Sequence, residues 1–244
     1  MTTSQKIALV TGATRGIGFE TCRQLAETGA LVLLAGRSAD SATKAAGQLK
    51  SQGLSVEPVV LDVTNAAQVT SVAADIQQRF GRLDILVNNA GVLLDDVSRK
   101  PSEQTLACWR DTFETNVFAV VQVTQALLPL LRAAPAARIV NVSSQLGSFG
   151  WHTDPTSPIY NFKIPAYDAS KSVVNSWTVH LAYELRDTPI KVNAIHPGYV
   201  QTDMNRGAGE LTVPDGAKSS VQMALLPPDG PSGSFTHLGQ PLPW

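Results

Sequence analysis

Short apolar runs rich in β-branched residues recur along the chain. They alternate with longer stretches in which apolar positions return with helical spacing. The runs predict strands at Ile7 to Thr11, Leu31 to Gly36, Val56 to Asp62, Leu83 to Asn88, Ala137 to Ser143 and Ile190 to His196, with a short last one near Ser234 to Thr236. Between them the periodicity predicts helices at Gly16 to Thr28, Ser41 to Ser51, Ala66 to Phe80, Trp109 to Arg132, Pro165 to Arg186 and, more weakly, Asp215 to Leu225. Strands as evenly apolar as Ile7-Ala8-Leu9-Val10 and Ile85-Leu86-Val87 suit burial on both faces. The alternation predicts βαβ units in one α/β doubly wound Rossmann domain, a mostly parallel seven-stranded sheet with helices on both faces and ligands at the carboxyl ends of the strands. No repeat, low-complexity tract or composition shift marks a second domain. The expectation is one domain over 1–244, with irregular chain only at about 148–165 and from Pro227 onward.

Charge narrows the partners. With 19 basic and 20 acidic residues among 244, the formal net charge is -1, which leaves no field for non-specific nucleic-acid binding. Cys22 and Cys108 stand far apart without metal or redox spacing, so a reducing, cytoplasmic compartment is expected. Met1 to Lys6 leads into an apolar run too brief for a secretion signal. Val117 to Leu131 is broken by Gln122, Thr124 and Gln125, so no membrane partner is expected. His152, His180, His196 and His237 show no metal-binding spacing, and no metal site is expected.

The candidate chemistry falls at strand ends. After the first strand, Thr11-Gly12-Ala13-Thr14-Arg15-Gly16-Ile17-Gly18 opens a helix, where backbone amides and the helix dipole can hold a pyrophosphate. Gly12 allows the turn, while Gly16 and Gly18 leave room for phosphates and for helix-on-strand packing. The second strand ends Ala35-Gly36-Arg37 with no carboxylate from Leu31 to Ser38. A ribose 2′-hydroxyl therefore lacks its usual acidic partner, and Arg37 with Arg15 suits a 2′-phosphate, which predicts NADP(H) as the cofactor.

Of the four tyrosines only Tyr167 has a lysine four positions on, Lys171, and the pair lies on one face at the start of a predicted helix. A phenol ordinarily titrates near 10, so lowering it to neutrality takes about 4 kcal/mol. A lysine ammonium and an oxidised nicotinamide, each about 4 Å away, can supply that together. Tyr167 can then give a proton to a carbonyl oxygen as hydride reaches the carbon, with Ser144 holding the same oxygen.

On these residues the chain resembles the short-chain dehydrogenases/reductases from Thr11 almost to Trp244. Asp62-Val63, Asn88-Asn89-Ala90-Gly91, Asn116, Ser143-Ser144 and Pro197-Gly198-Tyr199-Val200-Gln201-Thr202 extend the likeness. The resemblance implies a catalytic tetrad of Asn116, Ser144, Tyr167 and Lys171, with the second serine of the pair catalytic, Lys171 also on the nicotinamide ribose and Asn116 supporting a water-linked proton relay. It implies Asp62 and Val63 at the adenine, Asn89, Ala90 and Gly91 along the cofactor channel, Pro197 and Gly198 also at the cofactor, and Val200 and Thr202 holding the carboxamide. Taken singly, Asn88-Asn89 also reads as a turn, Asp62 as a helix cap, Asn116 as a polar residue inside a helix and Ser143-Ser144 as a solvated strand end.

Gln145 to Ala166 is longer than the family's usual serine–tyrosine spacing and looks like an insertion of about ten residues. It resembles the carbonyl-reductase branch, which includes plant monoterpenoid and alkaloid ketone reductases, and the closing Pro241-Leu242-Pro243-Trp244 is similar to that branch too. The resemblance implies a monomer, with a dimer as the alternative. Phe149, Trp151, Tyr160 and Phe162 either wall an apolar substrate site or pack on the fold, and Asp203 to Pro214 is expected to be a mobile lid. The expected activity is NADPH-dependent reduction of aldehydes or ketones, reversible with NADP+. A dinucleotide sensor, an alcohol dehydrogenase working oxidatively, and an epimerase or dehydratase are the other readings.

Overall fold

The computed structural model describes residues 5–244. Met1 to Ser4, the start of the segment read as lacking a secretion signal, lies outside the described residues.

β1 (Ile7–Val10) is flanked by β2 (Leu31–Gly36) on one side and β4 (Ile85–Asn88) on the other. β3 (Val56–Val60) closes one edge, while β5 (Arg138–Val142), β6 (Lys191–Ile195) and β7 (Phe235–His237) extend the other, all parallel. The order β3-β2-β1-β4-β5-β6-β7-β8 reverses direction between β1 and β4, which opens the crevice of a doubly wound sheet at their carboxyl ends. The seven expected parallel strands are present. An eighth, β8 (Gln240–Pro241), pairs antiparallel with β7 and was not read from the sequence, because two residues are too short to show alternation.

Alternation along each strand divides the core in two. Ile7, Leu9, Leu33 and Leu86 face one way and pack with Val123, Leu127 and Leu131. Ala8, Val10, Val32, Leu34, Ile85 and Val87 face the other way and pack with Cys22, Leu25 and Leu49. The first face is covered by α3 (Ala66–Phe80), α5 (Ala119–Ala133) and α7 (Pro165–Glu184). The second carries α1 (Gly16–Glu27), α2 (Ala39–Lys50) and α8 (Val213–Ala224).

Several boundaries differ from the periodicity. Ser38 caps α2 by accepting the Ser41 N–H at 3.3 Å, so the helix begins at Ala39 rather than Ser41. The expected helix at Trp109 to Arg132 starts at Leu106, where Thr105 accepts the Cys108 N–H at 3.1 Å. It runs as α4 (Leu106–Phe113), a wide π turn at Glu114–Phe118, and α5. By length and composition Leu106–Ala133 is sufficient to cross a membrane, contrary to the reading of its polar interruptions; half of its most apolar window is buried inside the fold. The segment expected to be irregular holds a short helix, α6 (Phe149–Thr153), capped by Ser148 through the Trp151 N–H at 3.1 Å. The Trp244 carbonyl accepts the Gly150 N–H at 2.9 Å and the Ser148 hydroxyl at 3.3 Å, so the closing residues seat against α6.

Below the crevice, a buried polar chain crosses the sheet. Asn88 Nδ2 donates to Thr124 Oγ1 at 3.0 Å and to Asn141 Oδ1 at 2.9 Å, and Asn141 Nδ2 donates to Thr178 Oγ1 at 2.9 Å. The chain joins β4, β5, α5 and α7, and a buried donor left without a partner costs roughly 1–3 kcal/mol. Asn141→Leu is expected to lower unfolding free energy by about 2 kcal/mol or more, read as a lower urea midpoint at unchanged slope.

Candidate active site

The loop after β1 and the loop after β4 meet in the crevice, and glycines permit the approach. Gly12 has φ +61°, and a Cβ there would lie 2.8 Å from the Ala90 Cα. A Cβ on Gly18 would stand 2.7 Å from the Gly12 carbonyl oxygen and 2.4 Å from Asn89 Nδ2. Hydrogen bonds hold the contact: Thr11 Oγ1 accepts the Asn89 and Ala90 N–H groups, each at 3.0 Å, and Asn89 Nδ2 donates to the Thr11 carbonyl at 2.8 Å and the Gly12 carbonyl at 3.1 Å. Gly12 and Gly18 thus serve packing. Gly16 is different, because it needs φ +57° yet its Cβ position has open space, with Thr202 Cγ2 nearest at 3.8 Å.

That space adjoins the start of α1, where Arg15 makes no side-chain cap and the first turn carries no acid. The unpaired amides and positive dipole end suit a phosphate, so these residues fit a dinucleotide. Thr14 sits over Gly36 at the end of β2, where a Cβ would come within 2.3 Å of its methyl. The Ile17 carbonyl of the same turn accepts the Thr21 hydroxyl at 2.8 Å. Arg37 follows β2 and is exposed. Arg15 is also exposed, and its ion-pair partner is Asp203, at 3.2 Å. Asp62 Oδ1 accepts the Thr64 N–H at 3.0 Å and its hydroxyl at 2.8 Å, next to buried Val63. After β6, Pro197 leads to Gly198 at φ +93°, Val200 is buried and bridges to Leu211, and Thr202 closes the far side of the glycine loop.

The four candidate catalytic residues converge. Asn116 stands in the π turn, where its Oδ1 accepts the Val92 N–H and its Nδ2 donates to the Val92 carbonyl, both at 2.8 Å. The same Nδ2 reaches Ser170 Oγ at 3.0 Å, and Ser170 donates to the Tyr167 carbonyl at 2.7 Å. Gly91 lies between Asn116 and Lys171: its Cβ would be 3.3 Å from Asn116 Oδ1 and 3.6 Å from Lys171 Nζ. Lys171 Nζ donates to the Val142 carbonyl at 2.9 Å and stands 5.5 Å from the Tyr167 ring centroid. Ser144 follows β5, and its hydroxyl lies near enough to the Tyr167 phenol to favour the phenolate.

Neither Ser170 nor Gly147 was singled out in the sequence. Gly147 lets the Ser144 turn lie directly on α7, since a Cβ would be 2.8 Å from the Lys171 carbonyl carbon. Its carbonyl also accepts the Ser172 hydroxyl at 2.9 Å. Of the insertion aromatics, Phe149, Tyr160 and Phe162 are exposed and Trp151 is half-buried.

Burial dominates the ionisation of this helix start. It pushes the Tyr167 phenol up to about 12, with the nearby Ser144 hydroxyl opposing the rise and the Asp168 charge adding to it. Burial pushes Lys171 down to about 8. The lysine alone therefore does not lower the phenol, and the chain's own surroundings keep Tyr167 protonated. Asp168 is pushed up to about 7, by burial first and by the Asp95 charge beside it; the Ile164 N–H donates to its Oδ2 at 3.0 Å.

A doubly wound sheet with a glycine loop at its switch point and a Ser-Tyr-Lys group beside it defines a dinucleotide-dependent oxidoreductase. Residues 6–211 match the family model described as short chain dehydrogenase. The chain is 40% identical over 228 residues to the short-chain dehydrogenase anuI of Penicillium roqueforti, covering 91% of this chain and 89% of that protein. Among solved structures, salutaridine reductase from Papaver somniferum superposes with TM-score 0.83 at 31% identity, over 96% of this chain and 99% of the other. NADPH-bound carbonyl reductase from chicken fatty liver superposes with TM-score 0.84 at 26% identity, over 98% and 99%. The chain belongs to the short-chain dehydrogenase family, oxidoreductases that use a nicotinamide dinucleotide.

The raised Asp168 has a consequence for stability. Native Asp168 binds its proton up to about pH 7 whereas the unfolded chain releases it near 3.8, so this group favours the fold below pH 4 and loses that contribution as pH rises to 7. Asp168→Asn is expected to flatten the stability–pH curve over that window by up to about 1.4 kcal/mol per pH unit, measured by denaturant unfolding of both proteins.

Proposed function

We propose that this chain reduces aldehyde or ketone carbonyls to alcohols with NADPH. The observation that carries the reading is the buried Tyr167 phenol, held protonated between Ser144 and Lys171 beside the glycine loop. NADPH over NADH is supported by Arg37 where an acid would meet a 2′-hydroxyl, and by exposed Arg15 across the loop. Among the structural neighbours, the chicken carbonyl reductase is NADPH-bound and a short chain dehydrogenase of Shigella flexneri is complexed with NADP.

When bound, the reduced nicotinamide supplies the hydride that reaches the carbonyl carbon. Ser144 donates a hydrogen bond to the carbonyl oxygen and fixes it against Tyr167. Tyr167 transfers its proton to that oxygen as negative charge develops there, which closes the alcohol and leaves a phenolate. Protonated Lys171, its Nζ 5.5 Å from the ring centre, attracts the phenolate charge. Solvent then returns the proton to Tyr167. In the reverse direction the phenolate takes the alcohol proton.

The insertion belongs to the same proposal. α6 and the chain around it leave Phe149, Tyr160 and Phe162 exposed beside the start of α7, available as apolar surface for a hydrophobic ketone. With that segment over the catalytic helix the protein is a monomer, and sedimentation is expected to give a single species near 26 kDa from the 25.9 kDa chain.

NADPH consumption with a panel of aldehydes, cyclic ketones, α-diketones and quinones tests the activity. Tyr167→Phe is expected to lose roughly 100- to 10,000-fold in kcat while still binding NADPH. Tight NADPH binding with no turnover of any substrate would instead mark a dinucleotide sensor. Arg37→Asp is expected to weaken NADPH on the order of 100-fold and NADH far less, by fluorescence titration; equal losses would refute the role given to Arg37.

A further inference from the structure

The catalytic helix has no cap of its own. Its N-cap residue, Ile164, makes no side-chain bond, and Pro165 at the first position has no N–H to give. The helix's own bonding begins only when the Asp168 N–H reaches the Ile164 carbonyl at 2.9 Å. Two amides are left, those of Ala166 and Tyr167, in a buried stretch where an unmet donor is costly.

Asp95 meets both. From the loop after β4, its Oδ1 accepts the Ala166 N–H at 2.9 Å and its Oδ2 the Tyr167 N–H at 3.0 Å, with the side chain itself buried. Three positions earlier in the same loop, Val92 is bound through both its N–H and its carbonyl to Asn116. Asn116 leads through Ser170 to the Tyr167 carbonyl. The two polar groups of the Tyr167 residue backbone, N–H and C=O, are therefore both gripped by side chains that trace back to one loop.

We propose that Asp95 is a positioning residue for the reaction: its carboxylate, reaching across from the loop after β4, fixes the backbone of Tyr167 and so sets where the phenol hydroxyl stands relative to Ser144 and Lys171. Filling two amides would need only a neutral cap such as serine or asparagine. Here an ionisable group is buried beside Asp168, whose proton affinity it raises, and its two oxygens fix direction as well as satisfy donors. A displacement of about 1 Å in a reacting group is worth on the order of 100-fold in rate, which is the lever such a grip controls.

The kinetic part of this inference rests on the carbonyl-reductase reading, so the test includes two readouts that need no turnover. Full-length Asp95→Ala and Asp95→Asn are compared with the wild-type chain and with Tyr167→Phe as the blank. Hydrogen exchange follows the Ala166 and Tyr167 amides, ultraviolet difference titration follows the Tyr167 phenol, and kcat and KM are measured for a ketone that the wild-type chain reduces. Asp95→Ala is expected to speed exchange at both amides about tenfold or more and to let the phenol titrate at lower pH as the helix start opens to water. It is expected to lower kcat about tenfold or more while KM stays within about threefold, with Asp95→Asn, which keeps an acceptor oxygen, recovering part of each loss.

A lower Tm with wild-type kcat and an unmoved phenol titration would make Asp95 an ordinary cap and overturn the proposal. Should the wild-type chain reduce no carbonyl, the reductase reading falls, and the exchange and phenol titration of the Asp95 variants decide the proposal alone: moved, it stands, and unmoved, it falls. If Asp95→Ala does not fold, Asp95→Asn carries the same comparison in milder form.

Discussion

The site depends on one close approach, the seating of Gly12 against Ala90 where the loops after β1 and β4 turn past each other. A parallel sheet covered on both faces has no open surface except at its ends, so any ligand must be met there by loops. Two loops can share that narrow edge only if one of them lacks a side chain at the contact. Once Gly12 allows it, Asn89 donates both its backbone N–H and its side-chain amide to Thr11 across the gap. The start of α1 then faces the same space as Gly91, Asn116 and Lys171. The amides suited to a phosphate and the candidate proton-transfer group thus share one anchoring contact.

The start of α7 concentrates the chain's unfavourable burial. Within five positions it buries a phenol, a carboxyl and an ammonium, each driven toward its neutral form by loss of water. Such groups destabilise a fold unless the surroundings are rigid and already paired, and the buried polar chain from Asn88 through Asn141 to Thr178 provides that support one layer below. The two apolar layers around the sheet supply the stability that the site gives up.

How much of this was legible in the sequence follows from range. Strands buried on both faces and helices with one apolar stripe announce themselves within a few residues, so Leu31–Gly36 and Ala66–Phe80 fall where periodicity puts them. The glycine loop and the Tyr167/Lys171 pair were legible because each is a short local pattern, and the resemblance then placed Asn116 and Ser144. Asp95 carries no local signal: one of two adjacent aspartates in a loop, it acquires meaning only 71 positions on, at the Ala166 amide. Gly147 likewise looks like any turn glycine until α7 is laid against it. The π turn hides from the sequence because a single surplus residue, at Glu114–Phe118, is too short an interruption for a window of helical spacing to reveal.

That π turn also makes the segment unusually sensitive to length. A wide turn holds one residue more than an α-helical turn, and the surplus at Glu114–Phe118 is what brings the Asn116 amide round to Val92 and Ser170. Removing any one residue there would let the turn relax to ordinary helix and swing everything beyond it by about 100° about the axis. Either the amide or the apolar stripe of α5 would then face the wrong way. Point changes along this helix can be absorbed singly by repacking, whereas insertions and deletions cannot, so the segment should vary in composition far more readily than in length.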